Sequence, residues 1–191
     1  SFSWEEIFNG SETPVSQKDL EGWWHMNDYV SGTGQTIEDS SVNGNDGSTS
    51  DANGTGMDCT VDGKLNYGCN FDGVDDYIGT ALTPPKPITL SAWIKIDSYP
   101  SGVSPDTGGF IFRSGAAIYF QLQETGKLDF FMYDGSANHL YSTFALNTGE
   151  WYHVVATWDG TTDADSQKLY INGELDNSNA AYSTTYQTTT S

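Results

Sequence analysis

Asp, Asn and Gly crowd into two short runs, Asn43-Gly44-Asn45-Asp46-Gly47 and Asp72-Gly73-Val74-Asp75-Asp76. Short carboxylates and backbone carbonyls packed into tight turns suit a hard divalent cation, calcium above all. Two other readings fit the same composition: these residues are what turns prefer with no ion present, and a carboxylate-rich surface also suits high salt. Cys59 and Cys69 stand apart from any Cys-x-x-Cys pair, and His25, His139 and His153 are too few to complete a zinc set. The two cysteines flank the turn at Val61-Asp62-Gly63-Lys64, so they either face each other on adjacent strands as a disulfide or stay buried thiols. A bridge closing so short a loop is worth about 2–3 kcal/mol in the chain-entropy model. Asn9-Gly10-Ser11 and Asn53-Gly54-Thr55 fit the glycosylation acceptor pattern. With the Ser/Thr richness, they lean toward an extracellular or cell-surface location.

Strands must position these residues, because helical periodicity is nearly absent. Ser3-Trp4-Glu5-Glu6-Ile7-Phe8, with Ser3 as cap and Glu6 at the capping-box position, offers a turn or two. Elsewhere short alternating or apolar runs are separated by Gly, Asn, Asp and Pro, the pattern of an all-β sandwich. In residues 88–97, Ile88, Leu90, Ala92, Ile94 and Ile96 fall on one face and Trp93 on the other. Residues 109–113, 117–123 and 127–133 read as three successive strands, the last two joined by Glu124-Thr125-Gly126. Residues 140–145, 151–158 and 167–171 supply three more. Asn172-Gly173 predicts a type I′ turn into a return strand that begins at Glu174-Leu175. Residues 1–19 read as a polar extension, and residues 177–191 as a Ser/Thr-rich tail, stalk or polar β segment.

Charge narrows the partners. The chain carries 26 acidic and 7 basic side chains for a formal net charge of −19, which repels nucleic acid and anionic membrane surfaces. No window approaches 18 apolar residues, so no segment inserts into a membrane. Hydrophobic residues at 36% and aromatics at 14% are too many for a disordered acidic tail. The start at Ser1, without Met or an apolar leader, reads as a mature or excised segment.

Leu20-Glu21-Gly22-Trp23-Trp24-His25-Met26-Asn27-Asp28 resembles the opening strand of laminin G-like jelly-roll domains of the concanavalin A-like lectin/glucanase superfamily. Segments that follow in the same order strengthen the resemblance: 39–47 (DSSVNGNDG), 62–64 (DGK), 71–78 (FDGVDDYI), 88–94 (ITLSAWI), 148–154 (TGEWYHV) and 169–175 (LYINGEL). It spans residues 20–176 and implies a two-sheet antiparallel β-sandwich. One departure stands out, since nothing after Leu175 matches the strands with which this family usually closes its sandwich. A jelly roll without those strands has an open edge, to which a strand-exchange partner chain could add.

The resemblance also implies chemistry. Jelly rolls of this type commonly hold calcium at the loop after the first strand, which here offers Asp39, Asn43, Asn45 and Asp46; a rigid turn loop without an ion is the alternative. Asp72, Asp75 and Asp76 read instead as hairpin chemistry. Related glucanases carry Glu-x-Asp with a further Glu on one strand, as retaining chemistry requires of paired carboxylates. The Glu-x-Asp here, Glu174-Leu175-Asp176, lies at a turn with no third acid, so the chain does not read as an enzyme. Trp93, Tyr119, Phe131 and Tyr133 alternate away from their strands' apolar sets and form either a stacking platform for sugar rings or a second packed layer. The expected function is a non-catalytic extracellular module that binds a glycan or cell-surface protein with a Ca2+ site. The alternative is a surface-layer, adhesin or filament subunit completed by strand exchange.

Overall fold

The computed structural model describes residues 19–51, 54, 57–101, 109–133 and 135–181. The expected helix at 3–8, the acceptors Asn9 and Asn53, and residues 182–191 of the tail lie outside the described residues. The chain divides into two compact units, Ser1–Leu82 and Thr83–Ser191. The division falls inside the span 20–176 that the resemblance marks as one domain. Every strand pairing in both units is antiparallel. No helix among the described residues is long and apolar enough to cross a membrane.

In the first unit, β1 (Thr36–Ile37), β2 (Gly47–Ser50) and β5 (Tyr77–Gly79) form one sheet in the order β1-β2-β5. β3 (Asp58–Asp62) and β4 (Tyr67–Asn70) form a hairpin. Cys59 and Cys69 stand on its two strands and are joined by a disulfide, so the bridge and not the thiol pair is what the Cys spacing encodes. Ile37, Met57 and Cys59 are fully buried, and Trp24, Met26, Val30, Cys69 and Ile78 pack around them. Gly47 has no room for a side chain: a Cβ there would lie 2.5 Å from Ile78.

The second unit is a sandwich of two four-stranded sheets. One runs β10-β9-β8-β7, from β7 (Gly109–Ser114), β8 (Ile118–Leu122), β9 (Lys127–Tyr133) and β10 (Ala137–Ala145). The other runs β13-β12-β11-β6, from β6 (Ile88–Lys95), β11 (Trp151–Trp158), β12 (Gln167–Ile171) and β13 (Glu174–Asn179). Alternation decides what goes inside. In β11, Tyr152, Val154, Ala156 and Trp158 are buried and their neighbours only partly so. Phe120, Phe130, Leu128, Leu140 and Leu169 meet them from the other strands, and the indole N–H of Trp158 donates to Thr161 O at 2.9 Å. The Asn172-Gly173 turn is type I′ as expected, with φ of 53° and 86°.

β13 continues to Asn179 and Ala181 is buried in the core, beyond the boundary drawn at 176. Its side chains meet the outer backbone edge of β10. Asn179 Nδ2 donates to His139 O, Asn177 Nδ2 donates to Tyr141 O, and Asp176 accepts from the Thr143 and Phe144 N–H groups and from Thr143 Oγ1. The two sheets are thus stitched along this side by side chains. Asp176→Ala removes three hydrogen bonds to a carboxylate and should destabilise the unit by about 1–3 kcal/mol. Urea denaturation would register this as a lower midpoint at unchanged slope.

Candidate functional site

The outer face of the β7–β10 sheet gathers the residues best suited to hold a ligand. Cross-strand register lines up Arg113, Tyr119, Phe131 and His139 in one row, and Phe110, Gln121, Asp129 and Tyr141 in the next. Tyr119 and Phe131 stack at 4.4 Å, and Phe131 lies 4.6 Å from the His139 ring, which is parallel to Tyr141 at 5.3 Å. The Arg113 guanidinium lies 5.0 Å from the Phe110 centroid. At the centre is Asp129, 1% exposed. Its carboxylate accepts from Gln121 Nε2 at 3.0 Å and Gln123 Nε2 at 3.1 Å, and meets His139 Nδ1 at 3.1 Å. A buried carboxylate is tolerated only with such a set of donors. Burial and the Asp129 charge push the Tyr141 hydroxyl pKa up.

Of the two arrangements the sequence left open, Tyr119 and Phe131 follow the packed second layer. Tyr119 and Phe131 are buried, at 7% and 6% exposure, because rings on neighbouring strands pack on each other. The accessible rim consists of Tyr133, Tyr141 and His139. Trp93 does not join them: it lies on β6 in the other sheet, exposed, with the His153 ring at 5.3 Å. Strand alternation identified Tyr119, Phe131 and Tyr133 as sharing a face. It missed Asp129, Gln121 and His139; the available signal was that Gln121 and Asp129 fall at outward positions of otherwise apolar strands. Beside Trp93, Ser91 Oγ and His153 Nε2 are 2.9 Å apart, a serine–histidine contact between residues far apart in sequence. Among the described residues, no acid holds the second ring nitrogen of His153, where a catalytic triad has its orienting member.

The loop expected to hold calcium is stitched by its own donors. Asp39 is 5% exposed and accepts from Trp23 N–H, Ser41 N–H, Ser41 Oγ and Asn45 N–H at 2.7–2.8 Å. Asp46 Oδ1 accepts from Asp39 N–H, and the side-chain amides of Asn43 and Asn45 donate to Leu20 O and Glu21 O. All four residues are brought together, but as the pins of a turn. Burial raises the Asp39 pKa and the four hydrogen bonds outweigh it, holding it at about 2.

Carboxylates converge elsewhere. Oxygens of Asp51, Asp75 and Asp76 all lie within 4.8 Å of one another. Asp76 Oδ2 accepts from Asp72 N–H, while Oδ1 is buried without a hydrogen-bond partner. Burial first, then the charges of Asp72, Asp51 and Asp75, raise the Asp76 pKa against the pull of that single bond. Asp72 does the hairpin work expected of it, accepting from Val74 and Asp75 N–H. A hard cation fits this set: oxygen donors only, mutually repelling, with one lone-pair position buried and unmet.

A laminin G family model, described as "Concanavalin A-like lectin/glucanases superfamily", matches residues 70–191. No curated protein matches the sequence. Among solved structures, the chain is similar to domain 4 of AbnA, a GH43 extracellular arabinanase from Geobacillus stearothermophilus, in complex with arabinotriose. The TM-score is 0.55 at 21% identity, over 76% of this chain and 70% of that one; at this identity the likeness is one of fold.

Asp39 has a signature in acid. Its folded pKa of about 2 lies below the ordinary 3.8, so its contribution is complete above 3.8 and lost as pH falls through about 2. Asp39→Asn should lower the melting temperature at neutral pH and flatten the fall between pH 4 and 2. Thermal melts across that range check it; an unchanged acid limb would refute the role.

Proposed function

The chain belongs to the concanavalin A-like lectin/glucanase superfamily, and from that premise we propose that it is a non-catalytic glycan-binding module, extracellular or at the cell surface, with a calcium site. The observation that carries the reading is the outer face of the β7–β10 sheet. Aromatic edges and rings at Tyr133, His139 and Tyr141 surround a buried Asp129 that is held by two amides and an imidazole. A saccharide needs this pairing of a flat apolar surface with fixed polar groups. The arabinotriose in the structurally similar arabinanase domain supports the same ligand class. The Cys59–Cys69 disulfide supports an oxidising compartment.

One observation favours binding over catalysis: the Glu-x-Asp acid Asp176 is engaged by Thr143 and Phe144. Completion by strand exchange has less support, because the outer edge of β10 is already met by β13 side chains.

A glycan array followed by calorimetric titration, with arabinotriose among the ligands, tests the reading. Tyr141→Ala should weaken binding by about tenfold, the size of one lost ring contact, without lowering the melting temperature by more than a few degrees. Absence of binding to any glycan, with calcium present, would overturn the proposal.

Asp51, Asp75 and Asp76 are the residues proposed to hold calcium. The ion would neutralise three crowded carboxylates and fix the segment 72–76 against Asp51. Saturating calcium should raise the melting temperature by mass action, about 2.7 kcal/mol at a hundredfold excess over Kd, and chelator should reverse it. Without the ion, the raised Asp76 pKa means stability declines as pH rises above 3.8 and through the folded value. The gap between calcium and chelator melts should therefore widen with pH, and Asp76→Asn should close it.

A further inference from the structure

Resting on the glycan reading, we infer that the β7–β10 face selects neutral saccharides and rejects acidic ones, because the groups left without a partner at its polar centre, Gln121 Oε1 and the Nε2 of a neutral His139, are hydrogen-bond acceptors. A carboxylate accepts and never donates, so Asp129 dictates how its neighbours are turned. Gln121 must direct Nε2 at Asp129 Oδ2, which leaves Gln121 Oε1 buried with no hydrogen-bond partner. His139 places Nδ1 3.1 Å from both Asp129 oxygens. In the neutral imidazole the proton sits on that nitrogen, and Nε2 is left as an acceptor at the exposed rim. An orphan buried acceptor calls for a donor, supplied by a sugar hydroxyl or by a water that a hydroxyl displaces.

A sugar hydroxyl donates readily to Nε2. A uronate or sulfate oxygen cannot donate, and it would bring negative charge toward buried Asp129 in a chain of net charge −19. Arg113, the one arginine in the sequence, does not change this balance. Tyr119 and Phe131 stand between it and His139 in the cross-strand row, about 14 Å away at strand spacing. Its guanidinium lies over Phe110, and its Nε donates to Gly115 O at 3.1 Å. Asp129 and Gln121 are positioning residues here, and His139 is the residue proposed to touch the ligand.

The test is a glycan array with neutral pentose and hexose oligosaccharides beside oligouronides and sulfated chains, run at about pH 8.5, above the ordinary range of imidazole titration. The intact chain, His139→Phe and Asp129→Asn are compared, with tryptophan fluorescence melts to establish folding. Hits confined to neutral members, weakened about tenfold in His139→Phe, support the inference. Asp129→Asn should in addition admit acidic members, a change in selectivity that a merely structural loss would not produce. If that variant does not fold, His139→Phe at the rim decides alone. Acidic glycans bound as tightly as neutral ones would overturn the inference and leave the glycan reading standing. Neutral hits undiminished in His139→Phe would overturn it too. No hit of either class would overturn both.

Discussion

In the β7–β10 sheet, hydrophobic core and polar face are the two sides of one strand register. Ile118, Phe120 and Leu122 oppose Met132, Phe130 and Leu128 across β8 and β9, and between them Tyr119 opposes Phe131 and Gln121 opposes Asp129. Because side chains alternate with period two, a slip of one residue on both strands would carry Asp129 and Gln121 into the core and Ile118, Phe120, Leu122, Leu128, Phe130 and Met132 out of it. Burying a carboxylate among Phe and Leu without its amides costs several kcal/mol, as does exposing the core set. The same energy that packs the sandwich therefore sets Asp129 between Gln121 and His139. β8 is buried throughout and β9 from Leu128 to Met132, and this is why the outer layer behaves as a second small core with an accessible rim.

Three carboxylate environments in one chain show what burial does to charge. Asp39 has four donors, and its pKa falls to about 2. Asp129 has amide and imidazole partners and orders the face around it. Asp76 has one donor and three like charges nearby, and its pKa rises. The side chain is the same in all three. What separates them is how many N–H and O–H groups the backbone path delivers. A net charge of −19 is thus a sum over groups with unlike structural roles.

The two sheets of the second unit need no further strand at the β10 edge among the described residues. Asp176, Asn177 and Asn179 supply side-chain partners to backbone groups that a neighbouring strand would otherwise satisfy. This blunts the edge against addition of another chain. It also explains why the segment after Leu175 lacks the apolar alternation of a closing strand: its side chains are selected to hydrogen-bond sideways.

Strand positions from 88 to 175 were legible in the sequence, as were the type I′ turn at Asn172-Gly173, the pairing of Cys59 with Cys69 as one of two options, and the laminin G-like class. These depend on local alternation, turn chemistry and ordered motifs, which a chain displays one segment at a time. The β10 start at Ala137 was not legible, because Ala137, Asn138 and His139 have no strand pattern apart from Phe131 and Met132 beside them. Tertiary structure decided which aromatics are accessible, that Trp93 lies on the opposite sheet, and that the Asp39 loop is pinned by its own donors. It also decided that the converging carboxylates are Asp51, Asp75 and Asp76. Each of these depends on contacts between residues distant in sequence, and residue type alone does not say how many donors will reach a carboxylate once the chain has folded.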